Sequence, residues 1–341
     1  MSGAAAETLN QRIGDLKWMT RKFAFGLVRS ALPIRTHIGV MNLRANLHGH
    51  FTKVPDHIRE NLISAFGEEH DLRKIDQIAR RYLEYSKRND LMVRLPNHVG
   101  FVESRCWGVE GTHHLDAALE NGRGAIVATG HFGFGRMIAP LLQARGYETL
   151  ILTALDEDGL KRTQKFRRIK GDTHGRMGSI AELVQHKVTV ARAALDIRPI
   201  IEWLAGNKVV VLAGDGLRSS EFMQFPLMGK QYPFPTGFLK IAAMTGAVVL
   251  PGFAKDGGAS HACRIEILSA LQVDSKSVKE SLERFAHVFD HQLHQAPHLW
   301  RRWKVKDVFR RVLEWSKCEQ RWSQSFSSWC LERDIEERRA T

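Results

Sequence analysis

Residues Gly124–Gly135 read GAIVATGHFGFG. The first six form an apolar run too short for a globular helix, and a glycine-rich turn follows at once. That pattern predicts a buried strand running into a tight turn. The apolar segment Met137–Ala144, closed by Gly146, then reads as a helix. Three further apolar runs repeat the strand signal at Thr149–Leu155, Val209–Ala213 and Val248–Phe253. Between them Leu160–Lys170, Met177–His186, Ile197–Leu204 and Thr236–Thr245 have helical composition. Short apolar strands alternating with helices define an α/β fold, a mostly parallel central sheet flanked by helices. In such sheets chemistry collects beyond the carboxyl ends of the strands. Here those ends carry His131, Asp156 and Asp215.

Both flanks of this region read as helical extensions. In Leu16–Leu32 the apolar residues Leu16, Met19, Phe23, Leu27 and Ala31 recur at helical spacing, and Pro33 follows. Trp18 and Phe25 share another face with Lys17, Arg21, Lys22 and Arg29. Basic residues mixed with aromatics suit a helix lying in a membrane interface. The same apolar stripe also suits a first helix packed on a globular core. Ile58–Arg94 is polar and helical in composition, and Pro96 and Gly100 mark a break. Ser277–Gln295 reads as one more helix. Val305–Arg339 reads as a charged helical tail with Trp315, Trp322 and Trp329 on one face. The division expected is a helical, membrane-interfacial region over 1–100, an α/β domain over 101–304 and a helical tail over 305–341.

Composition narrows the function classes. The chain has 341 residues, 43% hydrophobic and 26% charged, which excludes global disorder. Its longest stretch without Asp, Glu, Lys or Arg, Ile241–Ala254, is shorter than a membrane-spanning helix needs. Charges interrupt Met1–Leu32 before a signal-peptide core builds up. The cysteines at 106, 263, 318 and 330 show no CxxC spacing, arguing against a disulfide scaffold or zinc module. A net charge of +13 calls for an anionic partner. No zinc-finger, basic-zipper or RNP-like pattern accompanies that charge, so nucleic acid is not the expected partner.

His131 is the sharpest chemical feature. At a strand-to-helix turn the positive end of the helix dipole depresses an imidazole pKa and keeps the ring neutral, as a general base requires. The surrounding glycines allow close backbone approach to a substrate. His287, Asp290, His291 and His294 share one face of a helix at metal-like spacing, but the HExxH glutamate is absent. Surface histidines are the simpler account, and no metal site is expected. Neither a Gly-x-Ser-x-Gly elbow nor a Walker loop occurs, which removes serine hydrolases and P-loop NTPases.

The ordered motifs HFGFGR (131–136), LAGDG (212–216), F-x-x-F-P-x-x-G-K (222–230), P-T-G (235–237), VVLP (248–251) and APHLWRRWK (296–304) resemble the bacterial lipid A late acyltransferases. These are the HtrB-like branch of the lysophospholipid acyltransferase superfamily. The likeness begins near MNLRANL (41–47) and includes GVEGTHHLDAALENGRGAIVATGHFG (108–133). It implies a glycerolipid acyltransferase-like α/β fold with neither metal nor cofactor. The implied place is the cytoplasmic face of the bacterial inner membrane, held peripherally against an anionic surface. The implied donor is an acyl carrier protein or coenzyme A thioester, and the implied acceptor a lipid or glycolipid hydroxyl.

One position departs from the pattern. The family signature is histidine, four residues, then an acid, and Arg136 stands where the acid belongs. An arginine cannot stabilise an imidazolium, and its charge opposes protonation of His131. Asp215 is the replacement expected from strand-end position; Glu148 starts a strand and sits at the wrong end. Arg136 would then bind an acceptor anion or a thioester oxyanion. Arg167 and Arg168, in KFRRIKG, fall where the family carries an arginine, and form a phosphate-suited cluster or a solvated helix face. Phe225 and Gly229 keep the family pattern and would shape an acyl slot or a turn. The activity expected is acyl transfer, with His131 as base and Asp215 as its partner. The rival expectation is a catalytically impaired relative that binds lipid or acyl carrier protein.

Deleting residues 1–35 should reduce cosedimentation with anionic vesicles, and salt should weaken binding of the full chain. Each basic residue near such a surface is worth about 1 kcal/mol. Equal sedimentation of the truncated and full-length chains would remove the anchor from this segment.

Overall fold

The computed structural model describes residues 33–92, 106–153, 186–189, 197–217, 219–257, 262–271, 273 and 278–320. The expected helices at Leu16–Leu32 and Leu160–Lys170, and Asp156 at a strand end, lie outside these residues.

Three helices come first: α1 (Ile34–Phe51), α2 (Asp56–Phe66) and α3 (Leu72–Met92). Pro33 is the N-cap of α1. The single helical stretch read over Ile58–Arg94 is two helices, α2 and α3, separated by Gly67–Asp71. After β1 (Trp107–Glu110) and α4 (Thr112–Glu120), β2 (Ala125–Thr129) runs into the HFGFG turn, and α5 (Ile138–Ala144) leads to β3 (Thr149–Thr153). Next come β4 (His186–Thr189), α6 (Arg198–Ala205) and β5 (Val209–Ala213). The hairpin β6 (Phe222–Leu227) and β7 (Lys230–Pro235) precedes α7 (Gly237–Thr245), β8 (Val248–Lys255), β9 (Cys263–Ile267) and α8 (Val278–Gln295). Two 3₁₀ turns, Pro297–Leu299 and Arg301–Lys304, lead into a helix over 308–320.

The strands form a 7-stranded sheet in the order β1-β9-β8-β2-β5-β3-β4. Every neighbouring pair is parallel except β8–β9. The fold is therefore α/β with a mostly parallel sheet flanked by helices. All five residues of β2 are buried, and β5 is buried from Val209 to Leu212. Central parallel strands are covered on both faces, so they read as continuous apolar runs, and that is why these two were legible. β1, β9 and the β6–β7 hairpin were not. They lie at the sheet's margin or outside it and mix polar with apolar positions, so no run announces them. His186, read as the end of a helix, instead opens β4; the pairing Leu150↔His186 draws it into the sheet.

Helix α8 lies across the ends of the central strands. Its Phe285 and Phe289 stack at 6.2 Å and 11°. A Cβ built on Gly130 would fall 2.3 Å from the Phe289 ring, and one on Gly214 2.5 Å from Phe285. These glycines follow the register partners Thr129 and Ala213. The two strand ends are thus clamped side by side under residues one helical turn apart. Gly133 is held as tightly: its φ is +50°, and a Cβ there would approach the Ala254 carbonyl oxygen to 1.8 Å.

The N-terminal helices fasten the segment after α8. Asn61 of α2 donates to the carbonyls of Trp303 (3.1 Å) and Val305 (2.7 Å) and accepts from the Val308 amide (3.2 Å). Tyr85 of α3 donates to the Gly133 carbonyl at 2.7 Å. Among the described residues no helix is long and apolar enough to cross a membrane.

Asn61→Ala leaves two carbonyls and an amide to find other partners. A buried group without its partner costs about 1–3 kcal/mol. The variant should lose roughly that much in urea unfolding, and an unchanged midpoint would show that the 301–308 segment is held by packing alone.

Candidate active site

His131 and Asp215 are brought together by sheet register. Thr129 of β2 pairs with Ala213 of β5, so the second residue beyond each strand end stands beside the other. His131 Nδ1 lies 2.7 Å from Asp215 Oδ1, and the His131 backbone N–H donates to the same oxygen at 2.8 Å. An ionised carboxylate only accepts, so Nδ1 carries the ring proton and Nε2 is left with its lone pair. The Asp215 side chain is fully buried, whereas His131 keeps 35% of its side-chain surface exposed. A buried carboxylate behind a partly accessible imidazole orients the ring and stabilises the imidazolium.

A third side chain completes the group. Arg302 Nη2 donates to the Asp215 backbone carbonyl at 2.7 Å, and its Nε lies 3.5 Å from Oδ2. Nη2 is also 3.2 Å from His131 Nδ1. That nitrogen is already a donor, so this last contact is electrostatic rather than a hydrogen bond. Tyr232 of the hairpin donates to the Asp215 carbonyl at 3.1 Å. The Arg301 backbone N–H donates to the His131 carbonyl at 2.8 Å. Arg302 and Tyr232 were not singled out from the sequence. APHLWRRWK carries two adjacent arginines, and only the structure shows that Arg302 is the one buried, beside the buried Trp303.

Burial pushes the His131 pKa down, the Asp215 charge pulls it back, and Arg302 and then Arg301 lower it further. The balance favours the neutral ring. Burial alone would raise the Asp215 pKa; the His131 and Arg302 charges and the two hydrogen bonds from His131 outweigh it, holding the carboxyl well below its usual range. The pair therefore presents an ionised acid behind a neutral base.

The other sequence candidates fall in different places. Arg136 is exposed in the 3₁₀ turn Gly135–Met137, near the end of the connection from β2 to α5. Arg167 and Arg168 lie outside the described residues. Phe225 is buried in the hairpin, 6.5 Å from Phe234 between ring centroids. Gly229 lies in the hairpin turn at φ +69°, next to Met228, whose amide donates to Asp290 of α8 at 2.5 Å. The hairpin reaches Asp215 through Tyr232, the strand partner of Phe225. On α8, His294 Nδ1 lies 2.9 Å from the Asp290 carbonyl oxygen, and His291 Nε2 lies 2.8 Å from Gln295. Among the described residues no group of three or more His, Cys, Asp or Glu side chains is arranged to hold a metal.

The mostly parallel α/β sheet thus carries, beyond its strand ends, a buried carboxylate behind an imidazole whose Nε2 is free to accept a proton. The profile for bacterial lipid A biosynthesis acyltransferases matches residues 13–305, and the chain belongs to that family. No curated protein sequence matches the chain.

A rate that depends on a neutral His131 should have its acidic limb below pH 6.5, because that pKa is lowered. Asp215→Asn removes the charge that raises that pKa, so the limb should move to lower pH. The rate on the plateau should fall about 10²–10⁴-fold. Arg302→Gln removes a depressing charge and should move the limb upward. Limbs that stay fixed in both variants would detach the pH dependence from His131.

Proposed function

We propose that this protein transfers a fatty acyl group from a thioester donor, an acyl carrier protein or coenzyme A, to a hydroxyl of a lipid or glycolipid. The observation that carries the reading is the 2.7 Å contact between His131 and Asp215 in a chain of the lipid A acyltransferase family. In this chain Arg136 occupies the position of the usual acid, and the carboxylate comes from the neighbouring strand instead.

The roles follow from the geometry. His131 Nε2 takes the proton of the acceptor hydroxyl as its oxygen attacks the thioester carbonyl. Asp215 holds the ring through Nδ1 and stabilises the imidazolium that results. Arg302 fixes the carboxylate and keeps it ionised. The tetrahedral intermediate then collapses, the C–S bond breaks, and the imidazolium returns the proton to the leaving thiolate.

The reaction is placed at the cytoplasmic face of the inner membrane, with the protein held peripherally through residues 1–100. Helix α1 supports this placement. Val40, Leu43, Leu47 and Phe51 are exposed large apolar residues at spacings of three and four, so they line one face. Arg35, Arg44 and Lys53 accompany them. Apolar residues beside basic ones are what an interfacial helix presents to anionic lipid. The net charge of +13 suits both that surface and an acidic carrier protein. On this reading residues 101–304 hold the catalytic domain and 305–341 the tail, helical over 308–320.

Lipids from cells with and without the gene, compared by mass spectrometry, should differ by one acyl chain on a defined acceptor. His131→Ala should give the lipid profile of the deletion while keeping the wild-type circular dichroism spectrum, with in vitro turnover down about 10²–10⁴-fold. A folded His131→Ala variant with wild-type activity would refute the general-base role. Wild-type protein that binds the acyl donor without turning it over would make this a binding protein.

A further inference from the structure

We infer that Arg136, Arg301 and Lys304 form a subsite for a phosphate group of a substrate, set beside the His131–Asp215 pair. The inference rests on the acyl-transfer reading for its substrate but on separate side chains for its site.

The placement comes from two turns that meet at His131. Arg301 is joined to His131 by its backbone N–H, 2.8 Å from the His131 carbonyl. Arg301 and Lys304 are three apart in the 3₁₀ turn Arg301–Lys304. In a 3₁₀ turn side chains at i and i+3 eclipse, so these two share a side. Arg302 and Trp303 between them are buried, while Lys304 is exposed and Arg301 half-buried. Arg136 lies five residues after His131, in the 3₁₀ turn Gly135–Met137 that closes the same connection. The Arg301 charge acts on both Arg136 and Lys304, and the Arg136 charge on Lys304, each pushing the pKa down after partial loss of solvent. The two turns therefore bring three cations to the surroundings of His131, where burial comes first and their mutual charge second in lowering the pKa values of Arg136 and Lys304.

Nothing described neutralises them. None of the three forms an ion pair with a described carboxylate. Asp90 at the end of α3 is the carboxylate that pulls on Arg136 and Lys304, and it is outweighed at both. Arg302 adds a further like charge at Lys304, while Tyr82 and Tyr85 are phenols whose pKa values burial pushes up, so they stay uncharged. Asp215 is engaged by His131 and Arg302.

The chemistry selects the ligand. Two guanidinium forks and an ammonium match the several oxygens and the charge of a phosphate. A developing oxyanion carries one charge on one atom and would leave most of the cluster unpaired. Replacing the family's acid by Arg136 fits the same account: with Asp215 holding the ring, the turn position is free to carry a cation toward the substrate. The phosphate is carried either by the acceptor lipid or by the pantetheine arm of the donor.

The test has a binding arm and a turnover arm. In the full-length protein the His131 ring is titrated by NMR with and without inorganic pyrophosphate at constant ionic strength. A bound anion counters Arg301, so the His131 pKa should rise in the wild type and stay fixed in an Arg136→Gln/Lys304→Gln double variant. Both residues are exposed, so the variant should keep its fold. No shift in the wild type, or an equal shift in the variant, overturns the subsite. For turnover, acceptors with and without phosphate are each paired with a carrier-protein donor and a phosphate-free N-acetylcysteamine thioester. The double variant should raise KM about 10–100-fold for the phosphate-bearing partner alone, as expected for losing charge-assisted hydrogen bonds. Dependence on the acceptor's phosphate assigns the group to the lipid, and dependence on the donor's assigns it to the arm. A KM unchanged for every pair overturns the inference. Wild-type protein that shows the pKa shift but transfers no acyl group keeps the anion site and removes the acyl-transfer reading.

Discussion

The pairing of β2 with β5 is the constraint on which the rest of the site depends. It fixes Thr129 opposite Ala213, and with them everything just beyond. Gly130 and Gly214 come next, and each is the residue over which a phenylalanine of α8 lies. One step further His131 meets Asp215. A slip in this register would place Asp215 beside the wrong residue and drive a Cβ into a ring. The glycines ahead of the histidine and the aspartate are thus part of the catalytic geometry, although neither touches the acid or the base through a side chain.

Around this pair the molecule is fastened from the opposite end of the chain. Asn61 holds the backbone on either side of Lys304, and Tyr85 holds the HFGFG turn at Gly133. Trp300 forms a bridge with Phe132, and the Arg301 amide caps the His131 carbonyl. Arg302 enters this closed segment and is turned inward onto Asp215. The segment that supplies the third member of the site is thus positioned by helices that supply none of its chemistry. The same closure leaves Arg301 and Lys304 on the outer side, so one short turn feeds the interior with one cation and the surface with two.

How much of this was legible in the sequence depended on the residue. β2 and β5 could be read because a doubly covered strand has little room for polar residues: VVVLA shows none, and GAIVAT only Thr129 at its end. Strand-end logic then pointed to His131 and Asp215, and the register places them in contact. β1, β9 and the hairpin escaped because their alternation is short and interrupted. Arg302 escaped for a different reason. Its burial is decided by Asp215, beyond the end of β5, and by the hold of Asn61 on the backbone that follows it, and no local pattern distinguishes it from Arg301. One points inward to a carboxylate and the other does not, yet in sequence they are adjacent and identical. Phe225 and Gly229 matched a motif, but what the motif encodes here is a hairpin whose Tyr232 touches Asp215.

Moving the acid from the turn to the next strand also changes when the site comes into being. A histidine and an acid in one turn can meet as soon as that turn folds. Here the two lie 84 residues apart in the chain. The base acquires its partner only after β3, β4 and α6 have been made and β5 has inserted between β2 and β3. Loop closure over such a span gains its contacts late in folding. On the proposed mechanism the base and its acid are therefore brought together only when the central sheet is complete.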